Sequence, residues 1–182
     1  MLKGIFLISA TVLLTGCLPM YKLPDSKPSA EFFLDSQNDS HSTTLRTSYV
    51  WVFKDDECRR NEFGMRAGSV IKNDAAAGTP RTRILANEKF VFTATYGDAR
   101  FAQNRQCAVT GSFTPLPSHT YKATLIVENN VSSCRLGVYD VSAGHDEQVE
   151  FSMPEHVCSD KGKSEIANGQ PLWTNWRVKV GR

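Results

Sequence analysis

Cys58, Cys107, Cys134 and Cys158 lie far apart along the chain, with no Cys-x₂-Cys pair among them. Structural zinc sites bring their cysteines in such close pairs, so the spacing argues for disulfides over a metal. An even number of cysteines in an oxidising compartment predicts two bridges, and spacing alone leaves all three pairings open. A catalytic thiolate would be oxidised in the same compartment, which argues against a cysteine nucleophile. His41, His119, His145 and His156 are scattered, and His145-Asp146-Glu147 lacks the second His of a His-Glu-x-x-His zinc helix. Asp55-Asp56-Glu57 offers oxygens that suit calcium, or simply a solvated loop after a strand. Neither metal nor cofactor is expected from these groups.

Ser69-Val70-Ile71-Lys72 matches the Ser-x-x-Lys pattern of penicillin-binding enzymes and β-lactamases. That chemistry needs a helix, which aims the Lys amine at the Ser hydroxyl one turn away. The flanks here read as a strand, where positions i and i+3 point to opposite faces. The Ser-Asp-Asn and Lys-Thr-Gly partners are absent, and so are a Gly-x-Ser-x-Gly elbow and a phosphate-cradling Gly loop. No catalytic residue is assigned. The C-terminal run from Leu172 to Val180 is different in kind. On a strand, Leu172, Trp176, Val178 and Val180 share one face, while Trp173, Arg177 and Lys179 share the other. Trp and Arg are favoured interface anchors, so Trp173, Arg177 and Lys179 form a candidate binding face.

The elements that must position these groups read as strands. Residues 105–114 alternate, with Cys107, Val109, Gly111 and Phe113 on one face. Pro115-Leu116-Pro117-Ser118 ends that run. Residues 120–127 resume with Tyr121, Ala123, Leu125 and Val127 aligned, and Glu128-Asn129-Asn130 is turn chemistry. Residues 133–141 align Cys134, Leu136 and Val138. These three runs predict an antiparallel meander. Upstream, Tyr49, Trp51 and Phe53 alternate with Val50 and Val52, and Phe90, Phe92, Ala94 and Tyr96 alternate with Lys89, Thr93 and Thr95. Shorter strands are expected at 31–34, 67–72, 147–152 and 172–180, with polar loops at 97–106 and 153–170. The pattern predicts an all-β fold: an antiparallel β-sandwich, immunoglobulin-like or transthyretin-like, of seven to nine short strands with two disulfides.

The N-terminus carries an address. Lys3 precedes an apolar run from Ile5 to Leu14, too short to span a bilayer, which needs about 20 residues. The run ends in Leu14-Thr15-Gly16-Cys17, which resembles the lipobox of bacterial lipoproteins. The resemblance implies that residues 1–16 are a cleaved signal peptide and that Cys17 is acylated. Several acyl chains, at about 0.8 kcal/mol per buried CH₂, make a durable anchor in the lipid bilayer. Leu18 rather than Asp follows the cysteine, which by the family's sorting rule implies the outer membrane, facing the periplasm. Residues 17–30 read as the lipidated Cys and a Pro-rich tether carrying Pro19, Pro24 and Pro28. Fully extended, it would reach roughly 40 Å. Residues 31–182 are then a single sandwich domain. The stretch from Cys107 to Asp140, through Phe113-Thr114-Pro115, Tyr121-Lys122-Ala123 and Cys134, is similar to small cysteine-paired lipoproteins of proteobacteria.

Charge excludes one class of partner. The 182 residues hold 21 Lys and Arg against 19 Asp and Glu, a net +2, without the basic excess of a nucleic-acid binder. Ten Phe, five Tyr and three Trp argue for a packed core. The expectation is a non-enzymatic binding or structural module of the cell envelope with an envelope protein as partner. It would serve as an accessory of a secretion or surface assembly or as an immunity lipoprotein that blocks a toxin. The alternative is a small periplasmic hydrolase whose site is built from loop residues such as His119, His145 and Asp146.

Overall fold

The computed structural model describes residues 20–39, 45–59, 64–72, 76–100, 103–159 and 162–175. Among them the chain forms thirteen strands and no helix. In chain order these are β1 (Ser29–Asn38), β2 (Arg46–Phe53), β3 (Met65–Lys72), β4 (Ala76–Gly78), β5 (Thr82–Leu85), β6 (Phe90–Ala99) and β7 (Gln103–Phe113). There follow β8 (Thr120–Glu128), β9 (Ser133–Asp140), β10 (Glu147–Gln148), β11 (His156–Ser159), β12 (Gly162–Ala167) and β13 (Pro171–Asn175). One sheet runs β10-β9-β8-β1-β4, with β5 also on β1, and the other runs β13-β7-β6-β2-β3. The two pack face to face as a sandwich, and β11 and β12 form a separate hairpin.

The strand count exceeds the expected seven to nine because four short strands carry no apolar alternation of their own. β4 and β5 both pair with β1, and the break between them is spanned by Thr79. The Leu34 N–H donates to Thr79 Oγ1 at 2.9 Å, and the Thr79 N–H donates to the Leu34 carbonyl at 2.7 Å. The other two, β11 and β12, occupy the segment expected as a polar loop at 153–170. The loop expected at 97–106 is also mostly strand, since β6 and β7 stay in register out to Ala99 and Asn104. Polar side chains continue this ladder past the apolar core because they pair with one another. Fully buried Asp98 accepts from Arg100 Nη2 at 2.7 Å.

Two further expectations change. The sandwich is not purely antiparallel, since β1 runs parallel to β8 from Glu31↔Thr120 to Asn38↔Val127. Nor do β7, β8 and β9 form one meander. Strands β8 and β9 pair as a hairpin, but β7 belongs to the opposite sheet. Pro115 to Ser118 carry the chain across the sandwich rather than around a hairpin. Proline's missing N–H ends the ladder but leaves the choice of next partner to the core.

That core draws on both inner faces. Phe32, Leu34, Ile84, Tyr121, Ala123, Leu125 and Val138 meet Val50, Val52, Phe90, Phe92, Ala94, Tyr96, Val109 and Phe113, all of them buried. Phe32 meets Phe92 edge-on at 4.8 Å between centroids, and Phe113 meets Tyr121 at 4.9 Å. Gly111 lies where a Cβ would come 3.0 Å from Leu136 Cδ2 and 3.2 Å from the Phe151 ring, so a side chain there would require those two to shift by a few tenths of an ångström. The disulfide Cys107–Cys134 joins β7 to β9, one strand from each sheet, with its Cα atoms 6.2 Å apart. The second, Cys58–Cys158, joins the segment after β2 to β11, with its Cα atoms 5.2 Å apart.

The segment before β1 is held against the sandwich from Met20 onward. Met20 forms a parallel bridge with Arg66 on β3, and the Tyr21 N–H donates to the Arg66 carbonyl at 3.0 Å. Tyr21 packs on the core and its hydroxyl accepts from the Leu85 N–H at 3.3 Å. Asp25 pairs with Arg83, and the Ala86 N–H donates to the Pro28 carbonyl at 3.0 Å. Residues 20–28, expected within the tether, therefore line the domain.

Candidate functional site

The outer face of the five-stranded sheet, turned away from the core, presents a groove. Alternation on β2 sends Val50 and Val52 inward and leaves Tyr49 and Trp51 half-buried on the outside. Their rings meet edge to face, 5.9 Å apart at 89°. Thr93 and Thr95 of β6 and Gln106 and Ala108 of β7 form the floor, and Val157, Cys158 and Ser159 of β11 form the far wall. The groove encloses about 270 Å³. Gln106 Nε2 donates to the Tyr49 hydroxyl at 3.0 Å, which fixes the phenol's orientation.

A polar network seats the far wall. The Thr93 and Thr110 hydroxyls lie 2.7 Å apart, Thr93 donates to the Cys158 carbonyl at 2.9 Å, and the Cys158 N–H donates to Thr110 at 2.8 Å. Asn168, beyond β12, completes it. Its Oδ1 accepts from the Thr110 N–H at 2.7 Å, and its Nδ2 lies 2.8 Å from both the Thr110 and Pro154 carbonyls. Buried threonines on an outer face are satisfied here by backbone groups of the hairpin that covers them. The Cys58–Cys158 bridge then fastens that hairpin covalently. The result is an aromatic and amide-lined surface on a rigid frame, suited to binding by contact area and hydrogen bonding.

Strand β13, which carries the start of the candidate C-terminal face, adjoins the groove at Gln106 through Leu172, whereas Trp173 takes a register position on the opposite face of the sheet. It pairs with the edge of β7, placing Leu172 opposite Gln106 and Trp173 opposite Arg105. Leu172, expected with the core-facing set, is 43% exposed. Arg177 and Lys179 lie outside the described residues, as does Cys17 at the N-terminus.

Of the groups weighed for catalysis, His119, His145 and Asp146 all fall on segments flanking the β8–β9 hairpin. His119 Nδ1 lies 2.5 Å from Asp140 Oδ2, and Asp140 Oδ1 accepts from the Ser142 N–H at 2.9 Å and its hydroxyl at 2.5 Å. Burial would raise the Asp140 pKa, but the hydrogen bonds from Ser142 and His119 outweigh it and hold it below the usual carboxylate value. In a serine hydrolase the histidine stands between serine and aspartate and takes the serine's proton. Here the aspartate stands between, so the Ser142 hydroxyl is committed to a carboxylate. Asp146 pairs with Lys122 at 2.5 Å, and His145 is exposed on the neighbouring turn.

Ser69 and Lys72 both lie on β3, opposite Tyr49 and Arg46. The acidic triplet does not converge. Asp55 accepts from the Glu57 N–H at 3.0 Å, Glu57 pairs with Arg59, and Lys89 pairs with Asp56 and lowers its pKa. Among the described residues no three His, Cys, Asp or Glu side chains cluster as a metal site.

Sequence reasoning found Tyr49 and Trp51 as strand residues but not as a groove. The missing signal was the hairpin wall, whose polar residues read as loop. No family model, no curated protein and no solved structure matches this chain.

Proposed function

We propose that the chain is a lipid-anchored lipoprotein of the bacterial outer membrane, facing the periplasm, that works as a non-enzymatic binding module of the cell envelope. The observation that carries this reading is the use of the cysteines. Four of the five close into two disulfides, the chemistry of an oxidising compartment. The fifth, Cys17, stands at the end of the lipobox. An odd thiol in that compartment is a reactive group, and acylation gives it a use.

The outer groove and the adjoining β13 edge are the binding face in this reading. Tyr and Trp supply large contact area at low conformational cost, and flanking amides and hydroxyls orient a partner. A face braced by two disulfides serves equally a subunit of a secretion or surface assembly and an immunity protein that blocks a toxin.

Two experiments test it. Cys17→Ser is expected to release the protein from membranes, and a variant that still sediments after a carbonate wash would show that the anchor is wrong. Affinity capture from a cross-linked native envelope is expected to return one specific partner, lost in Tyr49→Ala/Trp51→Ala and in Trp173→Ala/Arg177→Ala. Turnover of an ester or glycan that disappears in His119→Ala or His145→Ala would replace the binding module with a hydrolase.

A further inference from the structure

Between an acylated Cys17 and Met20 the chain has only Leu18 and Pro19. Three residue steps span at most about 11 Å. At Met20 the chain is already bridged to Arg66, and Tyr21 is bonded and packed immediately after it. The headgroup layer on each side of a bilayer is itself roughly 5–7 Å thick. A lipid at Cys17 therefore draws the β3 edge of the five-stranded sheet into or against that layer. The 40 Å reach of a free tether does not apply.

The side chains at that edge suit this position. Met20 and Arg66 are bridge partners, and Trp51 lies opposite Arg66 across β2 and β3. Bridged and paired residues share a face, so the three form one row on the outer side of the sheet. Met20 is 53% exposed, and Trp51 is half-buried. Arg66 is half-buried, so part of its side chain lies at the surface. Lys22, two residues beyond Met20, adds an exposed cation beside the half-buried Arg66. An apolar tip, an indole and a guanidinium in a row are the residue types that settle at the boundary between acyl chains, glycerol and phosphate.

We propose that Met20, Arg66 and Trp51 form a phospholipid-contacting surface, held on the headgroup phosphates by the short span from Cys17. This rests on the lipoprotein reading and adds an orientation to it. The β3 edge lies on the bilayer, the β13 edge at the other end of the sheet points away from it, and Trp51 marks where the groove meets the lipid.

The test uses the full-length protein extracted from a bacterial envelope and reconstituted in vesicles of phosphatidylethanolamine and phosphatidylglycerol. Trp173→Phe/Trp176→Phe leaves Trp51 as the sole indole. Phospholipids brominated near the headgroup end of the acyl chain are expected to quench Trp51. Met20→Ser/Arg66→Gln, which leaves the backbone bridge in place, is expected to lose most of that quenching. A Gly-Ser insert of about fifteen residues after Pro19, spanning roughly 20 Å, is expected to reduce it without touching the fold. Mass spectrometry of the N-terminal peptide separates the two ways to fail. An unacylated Cys17 overturns the lipoprotein reading and this inference with it. An acylated, membrane-bound protein whose Trp51 is unquenched, or whose quenching ignores both variants, overturns the orientation alone.

Discussion

On the inner side of β6, Phe90, Phe92, Ala94 and Tyr96 meet Phe32, Phe113 and the rest of an apolar core. On its outer side, Val91, Thr93 and Thr95 are equally buried, beneath a hairpin fixed by Thr110, Asn168 and the Cys58–Cys158 bridge. One strand is thus covered twice by different physics. The inner cover depends on area, at roughly 1.5–3 kcal/mol for each large side chain removed from water. The outer cover depends on directed bonds, each worth about 0.5–1.5 kcal/mol net but costly to leave half-made. An area-driven cover tolerates a change of shape with volume kept. A bond-driven cover tolerates a change of volume but not the loss of a partner.

The comparison can be broken or sharpened in four steps. Phe92→Ala should cost about 3–5 kcal/mol and lower the midpoint of a single thermal transition by roughly 10 °C. Cys58→Ser/Cys158→Ser opens a loop of 100 residues and should cost about 2–5 kcal/mol. Limited proteolysis of that variant should cut first within 154–168, before the sandwich unfolds. If instead it melts in step with Phe92→Ala and shows no early cut, the hairpin is part of the core and the distinction fails.

Thr110→Val keeps the volume but strips the Cys158 N–H and the Thr93 hydroxyl of a partner. It should cost about 1–3 kcal/mol in urea unfolding, whereas the core swap Val109→Ile should be milder at its own site. The smallest effect lies off both covers, at Asp140. Its folded pKa is depressed, so its stabilisation is present above the ordinary carboxylate value of about 3.9 and is lost as pH falls through the lower folded value. Asp140→Asn should flatten the fall of the urea midpoint below about pH 4 while leaving the outer hairpin's protease pattern unchanged.

The same contrast explains what could be read in advance. Inner-face residues announce themselves by period two: Tyr121, Ala123, Leu125 and Val127 on β8, and Cys107, Val109 and Phe113 on β7. The pattern gives faces, not partners, so it suggests a meander of β7 with β8, whereas β7 lies across the sandwich. Where burial is secured by hydrogen bonds, the sequence looks like a loop. Asp98 and Arg105 sit on a strand pair, and His156–Ser159 on a hairpin, with no apolar alternation to mark either. Two disulfides followed from the cysteine count, but their pairing needed the fold. The groove stayed hidden because its walls come from residues some hundred positions apart.

The parallel pairing of β1 with β8 sets a schedule. On a chain that emerges N-terminus first, β1 precedes every other strand described, and β4 and β5 can soon cover one of its edges. Its other edge stays open until Thr120–Glu128 arrives. Contacts so distant in sequence form late, and an open strand edge is a template for pairing with other chains. The interval between β5 and β8 is therefore the stage at which this chain most needs shielding. Its length is set by topology, and no single side-chain substitution shortens it.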